Sequence, residues 1–261
     1  MDGIPWRLIQ SSEADGPFNM GLDEALLRSA SELGVATLRL YSWAGPWVSL
    51  GYAQRHLDPE RIRACEDQGV GIVRRTTGGR AVLHGKDLGY SVAAPKGMLR
   101  PGLRNSYDQV ATALLAAIRS LGASTACRIP ASKAAQPSNR FDCFAAPAAD
   151  EIVVGKEKLV GSAQRRRGGA VLQQGSIRIS ADLPAVAAAA GIDPGVSISL
   201  AQLGIEASEE ALREALVSRF AQALGARFSA TDPEPAELDQ ACARVDLHRV
   251  DLLSAPTSKA V

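Results

Sequence analysis

At 261 residues and 46% hydrophobic content, the chain can build one large domain or two small ones around a packed core of its own. Its 29 Lys and Arg stand against 28 Asp and Glu, and the formal net charge of +1 excludes a global field that would favour nucleic acid, an anionic membrane or a polyanionic partner. No apolar run approaches the roughly 20 residues of a membrane span, and the opening MDGIPWRLIQSSEADG has neither a basic start nor a long apolar stretch, so a cytoplasmic protein is expected.

From Asn19, the run NMGLDEALLRSASELG places Met20, Leu22, Ala25, Leu26 and Leu33 near helical spacing behind a polar cap, with Gly34 as the stop. ATLRLYSW and WVSLGY, separated by the Gly45-Pro46 turn, read as strands. DPERIRACEDQG reads as a short helix with an Asp58 cap, Pro59 in its first turn and Gly69 at its end. GIVRR and LGYSVAAP then read as strands, which puts Gly78-Gly79 on a turn between them. The stretch from Tyr107 has the apolar face of an amphipathic helix, and KAAQPSNRFD, residues 133–142, reads as an exposed loop. EIVV, KLVGSAQRR and GAVLQQGSIRI are closely spaced strands, expected to pair antiparallel, and helical spacing returns in EEALREALVSRFAQALG before a frayed tail. The sum is an α+β fold with a mixed, largely antiparallel central sheet packed with helices. A catalytic domain is expected over residues 1–225, followed by an extension, 226–261, with a short disordered tail.

Two segments concentrate chemistry. RRTTGGRAVLHGKDLGYSV, residues 74–92, joins Arg74, Arg75 and Arg80 to Thr77, Gly78, Gly79, Ala81, Val82 and His84. Glycines on a turn admit close backbone approach, and exposed N–H groups with fixed positive charge suit a phosphate, a pantetheine or an acyl carbonyl. A plain basic hairpin is the blander reading; the spacing fits neither a Walker loop nor a dinucleotide fold. The second segment, residues 142–177, carries Cys143 on a loop, Lys158 at the start of a strand, and the small residues Gly161, Ser162 and Ala163. An ammonium group brought beside the thiol would favour the reactive thiolate. Cys65, Cys127 and Cys242 read as packing residues, and the scattered cysteines, without a CxxC pair or a histidine at ligand spacing, argue against zinc.

Together these segments resemble the biotin/lipoate protein ligase and octanoyltransferase superfamily. The first signature, of the type RR-x-[TS]-GG-x-AV-x-H, is matched by Arg74, Arg75, Thr77, Gly78, Gly79, Ala81, Val82 and His84. Lys158, Leu159, Gly161, Ser162, Ala163 and Gln164 match the second, although Lys156 and Glu157 depart from its usual Gly-Arg-Lys run. Asn19, Met20 and Asp23 match the family's first helix. The resemblance covers roughly residues 6–225 and implies the ligase catalytic-domain fold, similar to class II synthetases. It also implies an acyl pocket whose walls are the glycine turn, with Arg75 to Val82 and His84, and the strand of Lys158 and Gly161 to Ala163.

Within the family, Cys143-Phe144 placed 15 residues before Lys158 resembles a cysteine-dependent octanoyltransferase branch. That branch implies Cys143 as nucleophile, Lys158 as its catalytic partner, octanoyl-acyl carrier protein as donor, and a lipoyl domain such as the glycine cleavage H protein as acceptor. Neither metal nor cofactor is then required. The alternatives are an ATP-dependent lipoate ligase, which would use ATP and Mg, and, less favoured, a non-catalytic acyl-binding protein. Arg165 to Arg167 read equally as a solvated tip or as a docking patch for an acidic carrier protein, and a nucleic-acid site is not expected there.

Overall fold

The computed structural model describes residues 3–55, 57–130 and 151–251. Its first element, β1 (Ile4–Ala14), has no counterpart among the elements expected from sequence, because Trp6, Leu8 and Ile9 are buried without strict alternation. It is followed by α1 (Gly16–Glu32), β2 (Thr37–Trp43), β3 (Trp47–Leu50), α2 (Pro59–Asp67), β4 (Gly71–Arg74), β5 (Val82–His84) and β6 (Asp87–Pro95). Then come α3 (Leu103–Ser120), β7 (Cys127–Arg128), β8 (Ile152–Val154), β9 (Glu157–Arg167), β10 (Ala170–Arg178) and α4 (Pro184–Ala190). The described chain closes with α5 (Glu209–Leu224), β11 (Ala226–Ala230), α6 (Pro235–Cys242) and α7 (Val245–His248).

The strands form an eight-stranded sheet in the order β11-β1-β2-β6-β10-β9-β8-β7 and a three-stranded sheet in the order β4-β3-β5. In the larger sheet β1 pairs in parallel with β11 and β2, and the remaining pairs are antiparallel, which is the mixed, largely antiparallel architecture expected. Leu38, Leu40, Tyr90 and Val92 belong to the core shared with Val110 and Leu114 of α3 and Leu216 and Phe220 of α5. On the other face Ile9, Ala93 and Leu172 pack with Leu22 and Leu26 of α1. Covered on both faces, β2 is buried along its whole length, which hides the alternation a half-exposed strand would show.

Two expectations need correction. α1 starts at Gly16, with Asp15 as its cap accepting from Phe18 N at 2.8 Å; Asn19 lies inside the first turns, its Nδ2 donating to the carbonyls of Ala14 and Ser42. The glycine turn does not close a hairpin between its flanking strands. β4 pairs in parallel with β3, β5 pairs antiparallel to β3, and β6 belongs to the other sheet, so residues 75–81 cross the end of β3. After residue 225 the chain continues into the larger sheet, with Ala226 beside Ile4, and α6 and α7 pack on α1. The loop expected at residues 133–142, Cys143 and the tail from residue 254 lie outside the described residues.

Candidate active-site cleft

The α1 face of the larger sheet and the crossing turn border a small, partly open cleft. Its walls are Met20 of α1, Tyr41 and Trp43 of β2, Ser49 of β3, Arg75, Val82 and His84 of the turn and β5, Gly161 to Ala163 of β9, and Gln174 to Ser176 of β10. The two signature segments, some eighty residues apart in sequence, thus meet at one site. Thr77 to Ala81 complete the turn, with Ala81 buried and Gly78 and Gly79 exposed.

The turn is held from below. Arg75 donates from Nη1 to Ser49 O at 2.7 Å, from Nη2 to Gly78 O at 2.9 Å and Arg80 O at 2.6 Å, and from Nε to Gly78 O at 3.2 Å. This guanidinium therefore shapes the turn by gathering its carbonyls. Thr77 Oγ1 donates to Gln174 Oε1 at 2.9 Å, and Gln174 Nε2 donates to Asp23 Oδ2 at 2.6 Å. Asp23 also accepts from Arg39 Nη1 and Ser91 Oγ, each at 2.8 Å, which explains why a charged pair occupies the middle of the fold. Arg165 Nη1 donates to Thr76 O at 2.8 Å and lies over the Tyr52 ring, pinning the turn's outer edge. Close approach is required at Gly51, where a Cβ would sit 1.9 Å from Gly79 O, and Gly79 itself has φ +89°.

At the cleft's inner end, His84 Nδ1 lies 2.7 Å from Asp87 Oδ2 and Nε2 lies 2.7 Å from Ser49 Oγ. Trp43 stacks on the imidazole with centroids 4.0 Å apart. Burial opposes ionisation of Asp87, but the charge of His84 and hydrogen bonds from His84, Ser176 and Gly85 outweigh it and hold the carboxyl below its ordinary range. Tyr41, buried against Asp23, is pushed well above the ordinary phenol value by desolvation first and by that carboxylate second.

Lys158 is fully buried and pairs with Glu151, Nζ to Oε1 at 2.5 Å. The pairing of β8 with β9 slips here, from Ile152↔Val160 to Val153↔Lys158, a local irregularity of the kind that redirects side chains beside functional sites. Nearby Tyr90 bonds to Ser162 Oγ at 2.5 Å; burial first, and the Glu151 charge with it, push its phenol up to about 12.

Of the other cysteines, Cys65 packs in α2, where burial raises its thiol, whereas Cys127 and Cys242 are exposed rather than packed. Arg166 donates to Gly102 O and Ser106 Oγ, and Arg167 pairs with Glu24 at 3.5 Å. Among the described residues no three His, Cys, Asp or Glu side chains stand close enough to share a metal ion. Sequence reasoning missed Ser49, Trp43, Asp87, Glu151 and Gln174. Asp87 alone left a signal, a carboxylate three residues after the signature histidine.

Residues 15–228 match the family model described as the lipoyl protein ligase A/B catalytic domain. A curated relative, the octanoyltransferase LipM of Moorella thermoacetica, is 42% identical over 68% of this chain and 66% of its own length. Another, the octanoyltransferase LipM of Kyrpidia tusciae, is 37% identical over 89% of this chain and 90% of its own. Among solved structures, a putative lipoate protein ligase from T. acidophilum with bound lipoic acid superposes with a TM-score of 0.75 at 23% identity, covering 94% of this chain and 96% of that one. A lipoate-protein ligase A bound with ATP gives 0.74 at 22% identity, covering 93% and 95%, and both likenesses speak for the fold.

Proposed function

The chain belongs to the lipoyl protein ligase A/B catalytic domain family, and from that premise we propose that it is an octanoyltransferase of protein lipoylation, taking its acyl group as the thioester of acyl carrier protein and passing it to the acceptor lysine of a lipoyl domain. The observation that carries this reading is identity to octanoyltransferases that extends over nearly the whole chain, 37% over 89% of it. The cleft's lining suits the carbonyl end of an acyl group, combining Gly161 and Gly175 with the apolar and aromatic Met20, Trp43 and Val82 and the polar Ser49, Arg75 and His84.

In the proposed chemistry the Cys143 thiolate attacks the octanoyl thioester carbon and the pantetheine thiolate leaves, so the chain carries the acyl group on its own sulfur. The lysine amine of the lipoyl domain then attacks, the C–S bond breaks, and the product is an amide. Lys158, paired with Glu151, is the cation that would favour the thiolate. Arg75 and the Thr77–Gln174–Asp23 chain hold the glycine turn, which keeps Gly78 and Gly79 in a fixed, exposed conformation. Because the donor is already activated, neither ATP nor a metal enters the reaction. The acceptor we favour is an H protein of the glycine cleavage type.

The ligase reading rests on the fold shared with lipoate ligases. Transfer assays separate the two. Octanoyl carrier protein should octanoylate a lipoyl domain without ATP, and Cys143→Ala should abolish transfer. Transfer from free octanoate that requires ATP and releases pyrophosphate would make the chain a ligase.

A further inference from the structure

The inner end of the cleft holds a chain of hydrogen bonds whose direction chemistry fixes. Asp87 Oδ2 accepts, so His84 Nδ1 carries the proton of their 2.7 Å contact. In its neutral form, the one that can act as a base, the imidazole offers only a lone pair at Nε2, and the Ser49 hydroxyl, 2.7 Å away, donates to it. Arg75 Nη1 has only protons to give, and it takes one of the two acceptor sites of Ser49 Oγ at 3.0 Å, leaving the other open. Donor direction therefore runs from Arg75 through Ser49 and His84 to Asp87. The arrangement of hydroxyl, imidazole and buried carboxylate is the one that activates hydroxyl protons elsewhere. Ser49 and His84 both line the cleft, although Ser49 is only 2% exposed.

We propose that Ser49, His84 and Asp87 form the proton relay for the second half of the reaction, with Ser49 Oγ meeting the acceptor amine as it attacks the acyl thioester. This rests on the transferase reading given above. As the lysine nitrogen bonds to the thioester carbon, one of its protons passes to Ser49 Oγ while the Ser49 hydroxyl proton passes to His84 Nε2. The C–S bond breaks and its electron pair stays on the Cys143 sulfur. The proton rests on an imidazolium faced by Asp87 and leaves to water after the amide departs. Arg75 steadies the negative charge that builds on Ser49 Oγ during the handover. The Trp43 ring, stacked on the imidazole, fixes its plane and shields it from water. Ser176 Oγ and Gly85 N hold the Asp87 carboxylate in place.

Other charges also face the imidazole. Tyr41 stands across the cleft, Lys86 and Asp182 lie on its far side, and Asp182 is paired with Arg178. Of these carboxylates, only Asp87 touches the ring.

The test separates loading from discharge. Protein charged with one octanoyl group is mixed with a glycine cleavage H protein, and amide formation is followed from pH 5 to 9 in the wild type and in Ser49→Ala, His84→Gln and Asp87→Asn. The relay predicts that His84→Gln slows discharge by about a hundredfold or more, the ordinary contribution of a positioned base, and that Ser49→Ala does so with the imidazole intact. Asp87→Asn should slow discharge while loading stays near wild type, because the imidazole loses the carboxylate that orients it. Discharge within about twofold of wild type in both His84→Gln and Ser49→Ala would overturn the relay, and so would an equal loss of loading and discharge in all three variants. If the wild type forms no acyl-enzyme, the transferase chemistry fails first and the relay falls with it.

Discussion

Gly51→Ala should disable the site without touching any residue expected to react. A Cβ at this position would lie 1.9 Å from Gly79 O and 2.7 Å from Gly79 C, both backbone atoms that no rotamer change can move. To regain even 3.0 Å, the limit of real Cβ contacts, the carbonyl must retreat by about 1 Å. That displacement passes to the turn that Arg75 gathers and Thr77 anchors. Misplacement of about 1 Å at a catalytic site costs on the order of a hundredfold, or about 2.7 kcal/mol of transition-state stabilisation. Gly78→Ala provides the contrast, because its Cβ would meet nothing within 4 Å and its backbone is unstrained. It should fold as well as wild type, and any activity it loses reports ligand, not backbone, at that position. The assay is ATP-free octanoyl transfer to a lipoyl domain, with thermal unfolding as a check on folding. Near-wild-type transfer by Gly51→Ala would refute the role given to the turn.

Four further outcomes follow from buried charge. Asp23→Ala should cost about 3–5 kcal/mol in chemical denaturation, because fully buried Arg39 is left without its carboxylate. Replacing both Asp23 and Arg39 by apolar residues should recover much of that stability but not activity, since Gln174 and Thr77 stay unanchored. Glu151→Gln should lower the transfer rate at least tenfold while the KM for octanoyl carrier protein stays within about twofold, because the buried Lys158 ammonium loses its carboxylate partner. Glu237 is held below its ordinary value; burial acts against this, but Arg7, Ser29 and the Glu234 N–H prevail. Its contribution is present above about pH 4 and is lost as pH falls through the depressed folded value. Glu237→Gln should therefore lower stability at pH 7 and make its decline towards acid shallower, as read by denaturation at stepped pH.

The parts of the fold readable in sequence are those governed by local periodicity and turn chemistry. The meander of β8, β9 and β10 follows from short strands joined at Gly155 and at Gly168-Gly169, all with positive φ. Strand partnership is a different kind of information. Gly71 to Arg74 gives no local sign that it pairs with Trp47 to Leu50 in parallel, so from sequence the glycine turn reads as a hairpin. β1 escapes notice because its parallel neighbours, β2 and β11, come from distant sequence and cover it unevenly.

The site divides in the same way. Arg75, Val82, His84 and Gly161 to Ala163 stand out by their motifs, and the fold brings them to one cleft. The residues that hold them are invisible in sequence. Ser49 is one serine in an apolar strand, Gln174 one of two adjacent glutamines, and Glu151 the residue before a short strand. Their parts are set by contacts across 35, 97 and 7 residues. Periodicity reports which face a residue occupies, not what waits there.

The central claim is that the acyl group passes through a thioester on the chain itself. Intact mass spectrometry after incubation with octanoyl carrier protein, without ATP, tests it most directly. The account predicts one added octanoyl group, mapped to the peptide that carries Cys143, absent in Cys143→Ala and discharged by an H protein. No adduct on the wild type, with transfer appearing only when octanoate and ATP are supplied, would contradict it.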